Sequence, residues 1–236
     1  MNEKRVLFLI SMVEEDFYNL RHIKEDIKKE YIKYFSQVEN LKIVERPHQL
    51  NSITVTPMKF GNVSGHWLAA NISTPSKVID KPMTVEVLKQ ELIKEKYSHV
   101  CISAFLDGYF NFKKSMEYLI KEHPSIVRVL GNIGALYDQF TQYFKPENIC
   151  YGDGVPFLRK LLNEPLDQPY YIPSTTGYLE MLGDKKNKIF AGVLTTSTGC
   201  THKCDFCGTS VLFQGKFNKY NFTAEDVYRA IKEMEE

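Results

Sequence analysis

The sequence predicts an α/β fold in which a Rossmann-like, doubly wound parallel sheet is followed by the start of a second (β/α) unit. Short β-branched segments alternate with longer segments of helical period, which is the pattern of parallel strands joined by crossover helices. A stretch rich in proline and glycine then interrupts this alternation near residue 164. The 236 residues, of which 43% are hydrophobic, are sufficient to bury a core.

The first predicted strand is the apolar run at residues 6–10, whose composition is typical of a strand buried on both faces. Apolar residues at helical spacing between residues 17 and 34 predict an amphipathic helix, and residues 41–45 predict another strand. Between Pro47 and Pro82, prolines and glycines interrupt any period, and only residues 67–72 are consistent with a helical segment.

The alternation continues more clearly through the next part of the chain. The predicted elements are a helix over residues 85–93, a strand over 100–103, a helix over 112–120, strands over 126–130 and 148–151, and a helix over 155–162. Helices and strands that alternate in this way favour a parallel sheet with helices packed on its faces.

Three parts follow from this organisation. Residues 1–163 are predicted to form the Rossmann-like domain, and residues 164–188, with three prolines and two glycines, to form a linker or hairpin extension. Residues 189–236 are predicted to begin a second domain. Its first strand covers residues 189–196, and its helix begins at Thr223, which can form a capping box with Asp226.

Composition excludes several classes of protein. Thirty basic and 29 acidic residues leave a formal charge of +1 without a basic block, so nucleic-acid binding has no support. The apolar run near the N-terminus is too short for a membrane span or a signal-peptide core, and we expect a cytoplasmic protein. Five cysteines are too few for a disulfide scaffold in a chain of this length.

Three of the five cysteines crowd into one segment. Cys200, Cys204 and Cys207 are spaced C-x3-C-x2-C. Three thiolates on a short loop can hold a cubane iron–sulfur cluster and leave one iron open to another ligand. Clusters of this type reach potentials low enough to donate an electron to a bound sulfonium.

With Phe206 before the last cysteine, the segment resembles the C-x3-C-x-aromatic-C signature of radical S-adenosylmethionine (radical SAM) enzymes. The resemblance implies a [4Fe-4S] cluster on Cys200, Cys204 and Cys207, S-adenosylmethionine chelating the open iron, and Phe206 near the adenine. Reductive cleavage of the cofactor would produce a radical that abstracts hydrogen from a small-molecule or peptide substrate. An electron donor such as flavodoxin or ferredoxin is implied as a partner. Residues 189–236 would then be the first strand, cluster loop and first helix of a radical SAM barrel.

A complete (β/α) barrel needs on the order of 200 residues or more, whereas 48 residues follow Lys188. We therefore expect the chain to be the front portion of a longer enzyme and to be inactive by itself. Two alternatives remain. One is a non-catalytic cofactor-binding or redox module that a partner completes. The other is a zinc-stabilised small-molecule-binding domain, with His202 or a remote cysteine as fourth ligand; the spacing without a second cysteine pair disfavours zinc.

The Rossmann-like part contains a second set of candidate residues. The carboxyl ends of parallel strands share one edge of the sheet, where ligands bind. The segments C-I-S-A-F at 101–105, V-L-G-N-I-G at 129–134 and Y-G-D-G at 151–154 resemble the later motifs of cobalamin-binding domains that precede many radical SAM barrels. The resemblance implies Ser103 beside the lower base of cobalamin. It also implies close approach of the ligand to glycines, and the candidates are Gly131, Gly134, Gly152 and Gly154.

Two departures from that family pattern stand out. Residues 11–16 are S-M-V-E-E-D, where a D-x-H-x-x-G motif would supply a histidine to cobalt, and Asn132 replaces a second glycine after Gly131. Cobalamin would then bind with its lower face unligated by protein, or the domain retains the fold without cobalamin. Ordinary strand-to-helix turns are the alternative explanation of the glycines. Together the two resemblances favour cobalamin-dependent methyl transfer to an unactivated carbon.

Overall fold

The structure, a computed structural model, describes residues 4–11, 58–60, 62–180 and 188–235. The helix predicted between residues 17 and 34 and the strand predicted at 41–45 lie outside the described residues. Most of the described residues belong to one compact unit, which is drawn from Met1–Met12, Phe60–Gly177 and Ala191–Glu236. The sheet and the site described below lie within this unit.

Nine strands and seven helices are described. The strands are β1 Val6–Ser11, β2 Met58–Phe60, β3 Ser76–Pro82, β4 His99–Ala104, β5 Val127–Gly131, β6 Thr175–Glu180, β7 Lys188–Val193, β8 Ser197–Gly199 and β9 Phe217–Lys219. The helices are α1 Val63–Ala69, α2 Val85–Lys94, α3 Tyr109–Glu122, α4 Asp138–Thr141, α5 Gly154–Leu162, α6 Gly208–Leu212 and α7 Ala224–Glu235. Single turns of 3-10 helix cover Leu106–Gly108, Ile133–Leu136 and Pro146–Asn148.

Four strands form an all-parallel sheet in the order β3-β1-β4-β5. All six side chains of β1 are buried, as expected for a central strand covered on both faces. β3 is an edge strand, which explains how it accommodates Pro82 without losing a ladder hydrogen bond in the sheet interior. The predicted α/β class with a Rossmann-like parallel sheet is therefore confirmed.

The core on one face of this sheet joins β1, β4 and β5 to helix α5. It comprises Val6, Phe8, Cys101, Val129, Leu158 and Leu162. Helix α5 begins at an N-cap, Asp153, whose Oδ1 accepts the N–H of Val155 at 3.1 Å. It ends at Asn163 in the left-handed conformation, with φ 61°. These caps satisfy helix-terminal groups and fix where α5 begins on the sheet edge.

Most of the elements predicted after residue 82 are present, but residues 148–151 are not a strand. The chain makes only an isolated bridge between Leu130 and Ile149 there. Pro146 opens a helical turn that continues to Asn148, and Gly152 turns the backbone with φ 98°. Only a short extended segment is left between these two interruptions, which is too little for a ladder.

The C-terminal part contains an antiparallel hairpin of β8 and β9, with α6 between them and α7 after them. The predicted capping box of α7 is confirmed. Thr223 Oγ1 accepts the N–H of Asp226 at 3.2 Å, and Asp226 Oδ2 accepts the N–H of Thr223 at 2.9 Å. Among the described helices, none is long and apolar enough to cross a membrane.

Candidate functional site

A cavity of about 260 Å³ lies at the carboxyl edge of the parallel sheet. Ser103 at the end of β4 and Gly131 at the end of β5 contribute to its wall, as do Gly152 and Gly154 at the start of α5. The structure therefore brings four of the five residues predicted for cobalamin to one rim. Gly134 lies outside the cavity wall.

The C-terminal segment covers this cavity. Thr195, Thr198, Leu212 and Phe213 are part of its wall, together with apolar side chains of the sheet such as Phe8. The segment from Cys200 to Cys207, here called the cysteine loop, lies between Thr198 and Leu212 in the sequence. The cavity and the cysteine loop are therefore built from adjoining parts of the same segment.

The wall of the cavity is apolar and carries little charge. Its described residues include no lysine, arginine or histidine, and Asp153 is the carboxylate among them. Burial raises the pKa of the Cys101 thiol far above its usual range and that of Cys150 to about 12, so both thiols stay protonated at neutral pH. Such a wall suits an uncharged ligand, because a buried anion would find no cation to pair with.

Asn132 occupies a backbone conformation typical of glycine. Its φ of 66° and ψ of −166° lie in a region that other residues rarely adopt. The side chain stabilises this turn, because Oδ1 accepts the N–H of Ile133 at 2.7 Å while Nδ2 donates to Ser103 Oγ at 3.0 Å. Asn132 therefore holds a turn conformation that glycine usually adopts, and its amide orients the Ser103 hydroxyl.

The predicted glycines differ in what requires them. A Cβ on Gly134 would lie 2.5 Å from Ala104 Cβ and 3.2 Å from the Ala104 carbonyl oxygen, so packing within the chain explains this glycine. A Cβ on Gly154 would lie 2.8 Å from Leu68 Cδ2, which is the end of a flexible side chain and can move aside. The positive φ of Gly152 explains the glycine at that position. Gly131 is different, because a Cβ there would meet only Cys150 Cβ, at an ordinary 3.9 Å. No contact within the described chain requires glycine at position 131.

The cysteine loop begins where the β8–β9 hairpin is most constrained. Gly199 has φ 82°, and a Cβ there would collide with the carbonyl oxygen of Lys216. The next residue, Cys200, donates its N–H to the same carbonyl at 3.0 Å. At the other end of the loop, Cys207 donates its N–H to the carbonyl of Cys204 at 3.1 Å and is the N-cap residue of α6. The hairpin and the helix thus fix the two ends of the loop.

The three loop cysteines are free and partly exposed. The backbone N–H groups of Ser210 and Thr209, in the first turn of α6, lower the pKa of Cys207, which favours the thiolate. The N–H of His202 lies 3.5 Å from Cys200 Sγ. Partly exposed thiols that receive amide hydrogen bonds have the donor chemistry of iron–sulfur ligands.

The three thiols are chemically suited to bind a cluster, but they are not arranged around a common point. Within the part of the chain that the structure describes, no three His, Cys, Asp or Glu side chains lie close enough together to hold a metal ion. Cys200, Cys204 and Cys207 therefore share one loop without converging on a common point, and metal binding requires their side chains to turn toward each other. Phe206, predicted to contact adenine, is 93% exposed beside them.

Sequence reasoning missed the polar contacts that join the cavity to the cysteine hairpin. Tyr220 donates to Asp153 Oδ2 at 2.8 Å, and its hydroxyl lies 2.8 Å from Thr198 Oγ1. Asp153 had a signal, because an aspartate before a helical segment is a typical N-cap. Tyr220 had none, since its partners are distant in sequence.

No protein-family model, curated protein sequence or solved structure matches this chain. The interpretation of the site therefore depends on the cysteine loop and on the cavity beside it.

Proposed function

We propose that this chain is the N-terminal part of a radical SAM enzyme, with Cys200, Cys204 and Cys207 as the ligands of a [4Fe-4S] cluster that also binds S-adenosylmethionine. The observation that carries the proposal is the C-x3-C-x-aromatic-C spacing on one loop of partly exposed thiols. When bound, the cluster would supply an electron of low potential to the sulfonium of S-adenosylmethionine.

The described residues support this role in several ways. The N–H groups at the start of α6 favour a thiolate at Cys207, which is the protonation state that a metal requires. The constrained turn at Gly199 gives Cys200 a defined position at the end of β8. Phe206 projects from the loop with 93% of its surface exposed and is available to pack on an adenine ring.

The wider assignment follows from the same loop. Strand β7, the cysteine loop and helix α7 are proposed as the first strand, cluster loop and first helix of a radical SAM barrel. We propose a small-molecule or peptide substrate and a flavodoxin or ferredoxin as electron donor. We also propose that the protein is cytoplasmic, because free thiols persist in that reducing compartment.

Anaerobic reconstitution with iron and sulfide tests the proposal. We expect a cluster whose reduced EPR signal changes when S-adenosylmethionine is added. Replacing Cys204 by alanine should abolish cluster binding, whereas Cys150→Ala removes a buried thiol outside the loop and should retain it. Stoichiometric zinc without a cluster would contradict the proposal and favour the zinc-stabilised alternative.

Cobalamin-dependent methyl transfer is the reaction we propose for the whole enzyme, and the cavity limits how cobalamin would bind. A cavity of about 150 Å³ holds one benzene ring, so 260 Å³ accommodates about two fused rings rather than a whole cobalamin. The mainly apolar wall, in which Asp153 is the one carboxylate among the described residues, matches an aromatic lower base, with Ser103 at the rim. No histidine is among the described wall residues, so the cobalt would have no protein ligand from the cavity.

Gly131→Ala tests cobalamin binding with little risk to the fold. The added methyl group has room within the chain, so we expect unchanged thermal stability but weaker binding in an absorbance titration with hydroxocobalamin. Gly134→Ala is the matched control, because Gly134 lies outside the cavity wall and its methyl group would collide with Ala104, which should lower stability without a ligand. A wild-type chain that binds no cobalamin contradicts this second proposal and leaves the cluster proposal standing.

A further inference from the structure

Tyr220 is a buried aromatic residue whose position differs from that of an ordinary core side chain. It is 6% exposed, and its ring packs against Trp67 and Tyr170 with centroid distances of 4.9 and 4.4 Å. It directly follows strand β9, whereas Trp67 lies on α1. The ring of Tyr220 therefore connects the β8–β9 hairpin to helix α1.

The hydroxyl of Tyr220 has two partners on different elements. It lies 2.8 Å from Asp153 Oδ2, on the N-cap of α5, and 2.8 Å from Thr198 Oγ1, in β8. Thr198 Oγ1 in turn accepts from Asn218 Nδ2, in β9, at 3.4 Å. Four side chains thus form one continuous chain of hydrogen bonds, here called the Asp153 relay.

The donor and the acceptor of each hydrogen bond in the Asp153 relay can be assigned. Burial raises the pKa of Tyr220 well above its usual range, so the hydroxyl stays protonated. Its single proton goes to the carboxylate of Asp153, which can only accept. The Thr198 hydroxyl must therefore donate to the Tyr220 oxygen, and it accepts from the amide of Asn218. Each donor has one acceptor, which specifies a single arrangement.

The Asp153 relay ends close to the cysteine loop. Thr198 is two residues before Cys200, and the backbone between them passes through the constrained Gly199. Cys200 is also held to Lys216 by its N–H. Any change in the orientation of β8 at Thr198 would therefore reach Cys200 through a single constrained residue.

We propose that Tyr220 is a positioning residue for the cysteine loop, because the Asp153 relay sets the orientation of the β8–β9 hairpin against the carboxyl edge of the sheet. This inference rests on the proposed function only insofar as Cys200 is a cluster ligand. The orientation of the hairpin itself is a property of the chain without any metal.

Tyr220→Phe removes one oxygen and keeps the packing of the ring. In the metal-free chain, we expect the backbone amides of residues 197–219 to exchange with deuterium about tenfold faster, the factor that corresponds to loss of one buried hydrogen bond. In the reconstituted chain, we expect a changed EPR signal and a shifted reduction potential at equal iron content. Thr198→Val should produce the same changes, and the double variant should add little, because both remove one chain of contacts.

Tyr228→Phe is the matched control, since Tyr228 lies on α7 with 63% of its surface exposed. It should change neither the exchange nor the EPR signal. If Tyr220→Phe behaves like Tyr228→Phe in both measurements, the inference is wrong. If the wild-type chain binds no cluster, the proposed function fails, while the exchange experiment on the metal-free chain still decides whether the Asp153 relay orients the hairpin.

Discussion

Arg159 is a charged residue that the fold buries almost completely, with 1% of its surface exposed. Its guanidinium donates to the carbonyls of Asn71 at 2.9 Å and Gln168 at 2.7 Å, and it packs over the ring of Tyr170. The planar group with five donors can serve several carbonyls at once. Arg159 thereby ties the chain after α5 to the end of α1.

Replacing Arg159 by methionine should cost about 3 kcal/mol, because the buried carbonyls lose their donors while the side-chain volume is nearly kept. Urea unfolding followed by circular dichroism measures this loss. Arg5→Met is the control, since Arg5 makes a half-exposed ion pair with Glu95, and such pairs contribute less than about 1 kcal/mol. Equal losses for the two variants would contradict this role of Arg159.

Glu91 predicts a pH dependence of stability. Hydrogen bonds from Lys77 at 2.5 Å and Lys94 at 3.1 Å lower its pKa below the ordinary 4.5. A carboxyl whose pKa is lower in the folded state stabilises the fold above pH 4.5 and loses this contribution as the pH falls through the folded pKa. Glu91→Gln should be less stable than wild type at neutral pH, and the difference should shrink on acidification. Urea unfolding midpoints of wild type and Glu91→Gln, measured at neutral pH and again below pH 4.5, test this. Glu117→Gln is the control, because Glu117 is exposed.

Among the secondary-structure elements, the β8–β9 hairpin depends most on a single glycine. Gly199→Ala would combine an unfavourable positive φ with a collision against a backbone carbonyl, which cannot move aside as a flexible side chain can. We expect a loss of about 2 kcal/mol or more and faster deuterium exchange across the hairpin. Gly131→Ala, which has room for the methyl group, is the control for thermal unfolding. A Gly199→Ala variant as stable as that control would show that the hairpin turn is not required.

Secondary-structure elements whose apolar residues have a regular spacing in the sequence could be predicted. Elements that depend on pairing with a neighbouring strand could not. The apolar spacing over residues 85–93 predicted α2 to within one residue, because one helical face must meet the core. β3 was missed, since this edge strand contains Lys77, Asp80 and Pro82 and has no buried alternation. Its neighbour β1 supplies the ladder that makes it a strand.

The same distinction holds for the site. Ser103, Gly131 and Gly152 were predicted to meet because parallel strands place their carboxyl ends at one edge. Gly134 follows the same motif but packs against Ala104 instead of lining the cavity. The contact of Tyr220 with Asp153 spans 67 positions. It depends on how the hairpin docks, and no local spacing encodes that.

The molecule as a whole offers a test through its five thiols. Cys101 and Cys150 are buried, whereas the three loop cysteines are partly exposed. In the metal-free native chain, Ellman's reagent should therefore modify three thiols rapidly and the other two only on unfolding. Cys101→Ala should remove one slow thiol and leave the fast ones unchanged. Rapid reaction of all five would contradict the described core.

Trp67 provides a fluorescence probe of unfolding. It is the single tryptophan of the chain, and it packs against Tyr220. It is 5% exposed, so unfolding should change its fluorescence strongly. The sheet and residues 191–235 lie in the same compact unit. We therefore expect the fluorescence midpoint in urea to coincide with exposure of the slow thiols.

Helix α6 has a mechanical consequence that its size makes plain. Five residues of helix span roughly 7.5 Å, with Cys207 capping one end and Leu212 in the cavity wall at the other. Gly208, the first residue of the helix, lies against the side chain of Ile133. Leu212 is therefore less than a nanometre of continuous helix away from the amides of Thr209 and Ser210 that favour the Cys207 thiolate. A molecule that displaces Leu212 along the helix axis would shift those amides as well.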